Sequence, residues 1–171
     1  AAKGAAALKF LNAGQACISP NRLYVPDTLR AAFEETLCSR VEKLQTGNGM
    51  EDGVGVGPLV NDSAVAKVER QVEDAREKGA GVPIGGARLT EGDHANGHFF
   101  APTVLTDVND EMAIYREETF GPVAPVISYE DPEQVVQLAN DTNYGLAAYV
   151  YTRDISVAMR AFEGLRFGII G

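Results

Sequence analysis

Short β-prone runs alternate with helical stripes along this chain, and that alternation limits the fold more than any other feature. One helix is expected to be capped by Asp27 and to bury an apolar stripe of helical period. Another is expected to be capped within 61–63 and to stop at Gly79. Pro132 opens a third, and residues 155–163 form a fourth. The stripes of the two longer helices are Leu29, Phe33, Leu37, Val41 and Leu44, and Val65, Val68, Val72 and Ala75.

The runs between these helices are short, apolar and rich in β-branched residues, so they predict strands. Strands that alternate with helices along a chain form a mostly parallel sheet that helices cover. The sequence therefore predicts an α/β fold, and no repeat or linker divides residues 1–171 into more than a single domain. The predicted strands cover 21–25, 82–84, 99–105, 123–129, 147–151 and 167–170.

The composition excludes several classes of partner. The chain has 24 acidic against 15 basic residues and a net charge of −9, whereas nucleic acid and anionic membranes require clustered Lys and Arg. No apolar run approaches the length that spans a bilayer. Cys17 and Cys38 form neither a disulfide framework nor a zinc pattern, which favours a reduced, cytoplasmic protein. His94 and His98 lie in a glycine-containing loop, so we expect surface histidines and no metal site.

Cys17 lies in a tight loop between a predicted helix and a predicted strand. The apolar residues of 5–11 form the helix, and Gly14 suits the left-handed residue that stops it. The strand 21–25 follows and ends at Pro26. A substrate can reach a thiol on such a loop, and the backbone N–H of the cysteine can face a developing oxyanion. A buried structural cysteine and a nucleophile both fit this bare pattern.

Three motifs in order favour the nucleophile. The run Phe10-Leu11-Asn12-Ala13-Gly14-Gln15-Ala16-Cys17, followed by Asn21-Arg22, resembles the active-site segment of the aldehyde dehydrogenase superfamily. The run 117–123, Glu-Glu-Thr-Phe-Gly-Pro-Val, resembles the second signature of that family, and 143–151 resembles the segment after it. The resemblance covers essentially the whole chain and implies the family's catalytic domain, a Rossmann-like three-layer α/β structure.

The resemblance implies an NAD- or NADP-dependent oxidation of a small-molecule aldehyde. Cys17 would attack the carbonyl carbon to give a thiohemiacetal, hydride would pass to the nicotinamide, and water would release the acid from the thioester. Glu118 would bind the hydroxyl groups of the nicotinamide ribose, and Phe120 would lie beside the nicotinamide. Without the resemblance, Glu117 and Glu118 would be read as a solvated loop pair.

The resemblance also implies that residues 1–171 are excised from a longer, homo-oligomeric protein. Its nucleotide-binding domain, which would bind most of the cofactor, and its C-terminal extension would lie outside this chain. The general-base glutamate and the side-chain amide that completes the oxyanion hole would lie upstream. We therefore expect the 171 residues alone to be inactive.

The stretch 145–154 and the last five residues most resemble the succinate-semialdehyde dehydrogenase branch. Leu11 stands where that branch has an arginine for the substrate's carboxylate, and Ser19 stands where many members have a second cysteine. Losing that guanidinium removes a contact worth roughly 1.5–3 kcal/mol. Ala16 and Ile18 flank the thiol and, with Leu11, are expected to line an apolar substrate pocket. The substrate stays open between succinate semialdehyde, another semialdehyde and a neutral aldehyde.

Two further classes of function fit Cys17 without the resemblance. A cysteine hydrolase or acyltransferase requires a histidine within reach of the thiol, and the chain offers only His94 and His98. A non-catalytic interaction module requires an unreactive Cys17. The glycines of 53–57 resemble a phosphate loop only superficially, since Pro58 and another loop follow them where a helix should begin.

Overall fold

The computed structural model describes all 171 residues, as six α-helices and eight strands. The helices are α1 (Ala2–Lys9), α2 (Asp27–Val41), α3 (Asp62–Glu77), α4 (Ala113–Arg116), α5 (Pro132–Asn140) and α6 (Ile155–Gly164). The strands are β1 (Leu23–Pro26), β2 (Gln45–Thr46), β3 (Val54–Val56), β4 (Gly81–Ile84), β5 (Thr103–Thr106), β6 (Val123–Tyr129), β7 (Ala147–Ala148) and β8 (Ile169–Ile170). Short 3-10 turns cover Leu11–Gly14 and Gly92–His94.

The central sheet has four strands in the order β1-β6-β5-β4. Strand β6 runs parallel to both of its neighbours, with Val126 opposite Leu23 and Val123 opposite Thr103, and only β4 is antiparallel. The first five residues of β6 are buried without interruption, which is typical of a parallel strand covered on both faces. Helix α2 packs against all four strands. The predicted α/β fold with a helix-covered, mostly parallel sheet is confirmed.

The last two predicted strands do not join this sheet. Residues 147–151 and 167–170 contribute only the two-residue strands β7 and β8, which pair with each other in parallel, Ala147 opposite Ile169. Only these short stretches are regular, and Gly145 and Gly168 next to them offer no side chain to pack on a sheet face. The glycine-containing segment 47–57 contains β3, which pairs with β2 and buries Val56.

Helix α2 differs from its prediction at its first turn. Asp27 is the first helical residue, Pro26 takes the N-cap position, and no side chain caps the helix. The Asp27 carboxylate still lies at the positive end of the helix dipole. Leu37 and Val41 are buried as predicted, whereas Leu29 is 59% exposed because it lies in the first turn, beyond the sheet contact.

Helix α3 agrees with its prediction. The Asn61 side chain caps it by accepting a hydrogen bond from the backbone N–H of Ala64 (2.9 Å), as an N-cap asparagine does. All four predicted inner-face residues, Val65, Val68, Val72 and Ala75, are buried. The helix ends at Glu77, two residues before Gly79.

A single cluster of buried apolar residues forms the core, and all of its members lie between Ala2 and Ile127. Beyond that point only Ala161 is buried, and α6 exposes Ile155, Met159 and Phe162. None of the helices combines the length and the apolar character needed to cross a bilayer.

Candidate active site

The loop that carries Cys17 begins earlier than the sequence predicts. Helix α1 ends at Lys9, because Asn12, Ala13 and Gly14 all adopt the left-handed region, with φ of 51°, 57° and 72°. Only glycine adopts this region at no cost, and for an alanine it costs about 1–2 kcal/mol. The turn leaves Cys17 as an exposed free thiol, which contradicts the interpretation of a buried structural cysteine.

Gln15 ties this loop to the segment before α3. Its amide nitrogen donates to the carbonyl oxygen of Pro58 (3.1 Å), and its amide oxygen accepts from the backbone N–H of Val60 (2.9 Å). On the other side of the thiol, the Tyr149 hydroxyl donates to the carbonyl oxygen of Ile18 (3.1 Å). The backbone on both sides of Cys17 is therefore fixed by partners distant in sequence.

The two motif loops touch through their backbones. Gly14 lies against Gly121, and a Cβ on Gly14 would overlap the carbonyl oxygen of Gly121. Phe120, directly before Gly121, has a φ of 47°. A left-handed aromatic residue persists only where its surroundings impose it, and such strain concentrates at functional sites.

Asn21 holds both ends of the tripeptide that contains Glu118. Its amide nitrogen donates to the carbonyl oxygen of Glu117 (2.8 Å), and its amide oxygen accepts from the backbone N–H of Thr119 (2.9 Å). A side-chain amide supplies both the donor and the acceptor that these two bonds require. Sequence reasoning gave Asn21 no role beyond the motif, because its partners lie almost 100 positions away.

We expect Asn21→Ala to destabilise the protein by about 2 kcal/mol or more, since it leaves a part-buried carbonyl and a part-buried N–H without partners. Asn48→Ala is the matched control, because the Asn48 side chain accepts only a local bond from Met50 N in an exposed turn. Urea unfolding of both variants measures the difference. Equal midpoints for the two variants would contradict the role of Asn21.

The two acids of the second motif have different environments. The Glu117 carboxylate pairs with the guanidinium of Arg70 and accepts from the amide of Gln71 (3.2 Å). The Arg70 hydrogen bond holds the pKa of Glu117 below its usual range. The side chain of Glu118 is exposed and has no partner among the protein's hydrogen bonds and ion pairs. Glu118 is therefore the acid that is free to accept a hydrogen bond from a ligand.

Arg22 fixes β1 to the end of α5. Its guanidinium donates to the carbonyl oxygens of Leu138 (3.0 Å) and Ala139 (2.8 Å), which lie in the last turn of that helix. It also lies over the rings of Tyr24 and Tyr115. The adjacent Asn21 and Arg22 thus anchor two different segments.

Most of the residues predicted for the site line one cleft of about 1850 Å³. Cys17, Ala16, Glu118 and Phe120 all line it. The other two residues predicted for the substrate pocket lie outside it. Leu11 points outward from the 3-10 turn and is 55% exposed, and Ile18 is half-buried behind the thiol.

The two histidines lie elsewhere. His94 contacts the carbonyl oxygen of Thr46 (2.9 Å), and His98 pairs with Asp62 (3.2 Å). Neither lines the cleft, so neither is placed to act as a base for Cys17. This placement argues against the hydrolase alternative.

In this α/β domain an exposed cysteine and an unpartnered glutamate line one cleft, as expected for the site of an aldehyde dehydrogenase. The comparisons with known proteins point to the same class of enzyme. The model of the aldehyde dehydrogenase family matches residues 1–171, and the chain belongs to this family.

The chain is similar to several semialdehyde dehydrogenases over its whole length. It is 48% identical to the succinate-semialdehyde dehydrogenase [NADP(+)] GabD of Escherichia coli (strain K12), covering 100% of the chain and 35% of the relative. It is 46% identical to the glutarate-semialdehyde dehydrogenase of Pseudomonas putida, covering 100% and 34%. A betaine aldehyde dehydrogenase from Staphylococcus aureus, solved in complex with NAD+, superposes with a TM-score of 0.94 at 36% identity, covering 99% of the chain and 34% of that structure. The chain thus spans about a third of the length of these relatives.

Proposed function

We propose that the protein containing this chain oxidises an aldehyde to the carboxylic acid, with Cys17 as nucleophile and NAD or NADP as hydride acceptor. The observation that carries this proposal is the shared cleft of an exposed thiol and an unpartnered carboxylate, Cys17 and Glu118. The activity is proposed for the whole protein and not for the 171 residues alone, since a general base and the main cofactor-binding domain are assigned to its remaining part.

The cleft fits the nicotinamide riboside end of the cofactor. Glu118 offers an acceptor-only carboxylate for the ribose hydroxyl groups, and Phe120 offers a flat apolar wall beside it. When bound, the nicotinamide supplies the acceptor for the hydride that leaves the substrate carbon. The structure of a relative with NAD+ and the name of another with NADP(+) support both cofactors as candidates.

Cys17 supplies the covalent step. Its sulfur forms a bond to the aldehyde carbon, the carbonyl oxygen becomes an oxyanion, and we assign the backbone N–H of Cys17 as a donor to that oxyanion. After oxidation the acid is held as a thioester on the same sulfur, and water cleaves the carbon–sulfur bond. The small side chain of Ala16 beside the thiol leaves room for the substrate in the cleft.

The proposal also covers the domain organisation, the cellular location and the oligomeric state of the whole protein. We assign residues 1–171 to a single catalytic domain, because the structure has one buried core, which residues 2–127 form, and no second core. Cys17 and Cys38 are free thiols, which supports a reducing, cytoplasmic location. The exposed apolar side chains of α6 support a further covering surface, and we assign it to a homo-oligomer.

We propose a semialdehyde as substrate, on the strength of the succinate- and glutarate-semialdehyde dehydrogenases among the relatives. Leu11 cannot bind the carboxylate of the semialdehyde and lies outside the cleft, so this role falls to another part of the protein.

The test compares kcat/KM for succinate semialdehyde with that for an uncharged four-carbon aldehyde, using the full-length enzyme and following reduced cofactor. We expect the charged substrate to be preferred by more than about 100-fold, near 2.7 kcal/mol, because a buried polar contact discriminates strongly. Comparable values with both substrates would contradict the semialdehyde assignment and leave a neutral aldehyde. No cofactor reduction with either would contradict the dehydrogenase itself.

A further inference from the structure

Lys9 is a charged residue that the proposed mechanism does not use. It is the last residue of α1, it is 1% exposed, and it lines the same cleft as Cys17 and Glu118. Lysine is almost never this deeply buried unless it is paired. Yet no hydrogen bond or ion pair of the protein involves the Lys9 ammonium group, whose three donors are left without a protein acceptor.

The nitrogen of the Lys9 ammonium group is not completely sealed from the cleft. The side-chain polar atoms that are fully sealed without a partner are Glu34 Oε1, Gln71 Oε1, Arg88 Nε and Thr119 Oγ1. Lys9 Nζ is not one of them, and the cleft is the space that this residue borders. The backbone is held in place, since the Lys9 carbonyl oxygen accepts from the Ser19 hydroxyl (3.3 Å).

Two charged side chains act on Lys9, a carboxylate and an ammonium, and neither forms an ion pair with it. Burial lowers the pKa of Lys9 to about 7, the carboxylate of Glu118 raises it, and the ammonium of Lys67 lowers it further. Glu118 is near enough to act on Lys9 but forms no ion pair with it. A ligand oxygen between Lys9 and Glu118 would accept the hydrogen bond for which Lys9 has no partner in the protein.

We propose that Lys9 is a cofactor-binding residue, whose ammonium donates to a hydroxyl oxygen of the nicotinamide ribose that Glu118 also holds. A ribose hydroxyl suits both groups at once, because it donates its proton to a carboxylate and accepts a hydrogen bond from an ammonium. The inference rests on the proposed function, since it takes the cleft to be the site of the cofactor's nicotinamide end.

The decisive variant is Lys9→Met in the full-length enzyme, because methionine keeps the length of the side chain and suits a buried site. Dissociation constants for NAD+, NADP+ and ADP are measured by titration calorimetry. We expect Lys9→Met to weaken binding of the preferred dinucleotide at least tenfold and to leave ADP, which lacks the nicotinamide riboside, within twofold. Lys3→Met is the matched control, an exposed lysine of the same helix that does not line the cleft.

An unchanged affinity of Lys9→Met for both dinucleotides would overturn the inference. So would equal weakening of ADP and dinucleotide, because it would show that Lys9 only maintains the structure. If Lys9→Met does not fold, Lys9→Gln is read by the same two criteria. Glu118→Gln separates this inference from the proposed function: unchanged dinucleotide binding in that variant, with weakened binding in Lys9→Met, would remove the role of Glu118 and leave that of Lys9.

Discussion

Cys17→Ala is expected to lower kcat of the full-length enzyme by about 10⁴-fold or more and to leave cofactor affinity within about threefold. The thiol forms the covalent bond to the substrate, and alanine has no group that can replace it. A 10⁴-fold loss corresponds to about 5.5 kcal/mol of activation free energy. Initial rates of cofactor reduction and a separate cofactor titration measure the two quantities.

Cys38→Ala is the internal control for this variant. Cys38 lies in α2, it does not line the cleft, and burial raises the pKa of its thiol. A thiol with a raised pKa contains less of the nucleophilic thiolate at neutral pH. We therefore expect Cys38→Ala to keep kcat within about twofold. Comparable losses in the two variants, or substantial turnover by Cys17→Ala, would show that the nucleophile is another group.

Much of the fold followed from local patterns in the sequence. The four buried positions of α3 and a cap within 61–63 could be predicted, because helical period and capping are local properties. The boundaries of β6 could be predicted for the same reason, since a strand covered on both faces is a continuous apolar run. The positions of β7 and β8 could also be predicted, but their short extent and their pairing outside the central sheet could not, because that pairing depends on tertiary contacts.

The geometry of the candidate site could not be predicted from the sequence. The motifs predict Cys17 and Glu118 as site residues, and both line the cleft, but the bonds from Asn21 to Glu117 and Thr119 link positions almost 100 residues apart. The left-handed Ala13 contradicts its local preference, so no local rule could place the turn that ends α1. Lys9, the last residue of that helix, looks like a surface residue in the sequence, and only its burial in the structure draws attention to it.

Gly14→Ala should strongly destabilise the protein, because the added methyl group meets both a left-handed backbone and a backbone carbonyl. Gly14 has a φ of 72°, and the new Cβ would overlap the backbone carbonyl of Gly121, which cannot rotate away as a side chain can. The strain of the left-handed residue costs about 1–2 kcal/mol, and overpacking of this kind costs typically another 1–3 kcal/mol. We expect a total of roughly 2–5 kcal/mol in urea unfolding.

Gly79→Ala separates these two costs. Gly79 has a φ of 96°, and a Cβ there meets nothing within 4 Å. The only destabilisation in this variant is therefore the strain of the left-handed backbone. Gly79→Ala should lose about 1–2 kcal/mol and keep full activity. Gly14→Ala should also lose activity beyond its loss of stability, because relief of the overlap moves the loop of Cys17 away from the loop of Glu118. If Gly14→Ala matched Gly79→Ala in both stability and kcat, the contact between the two loops would not set the geometry of the site.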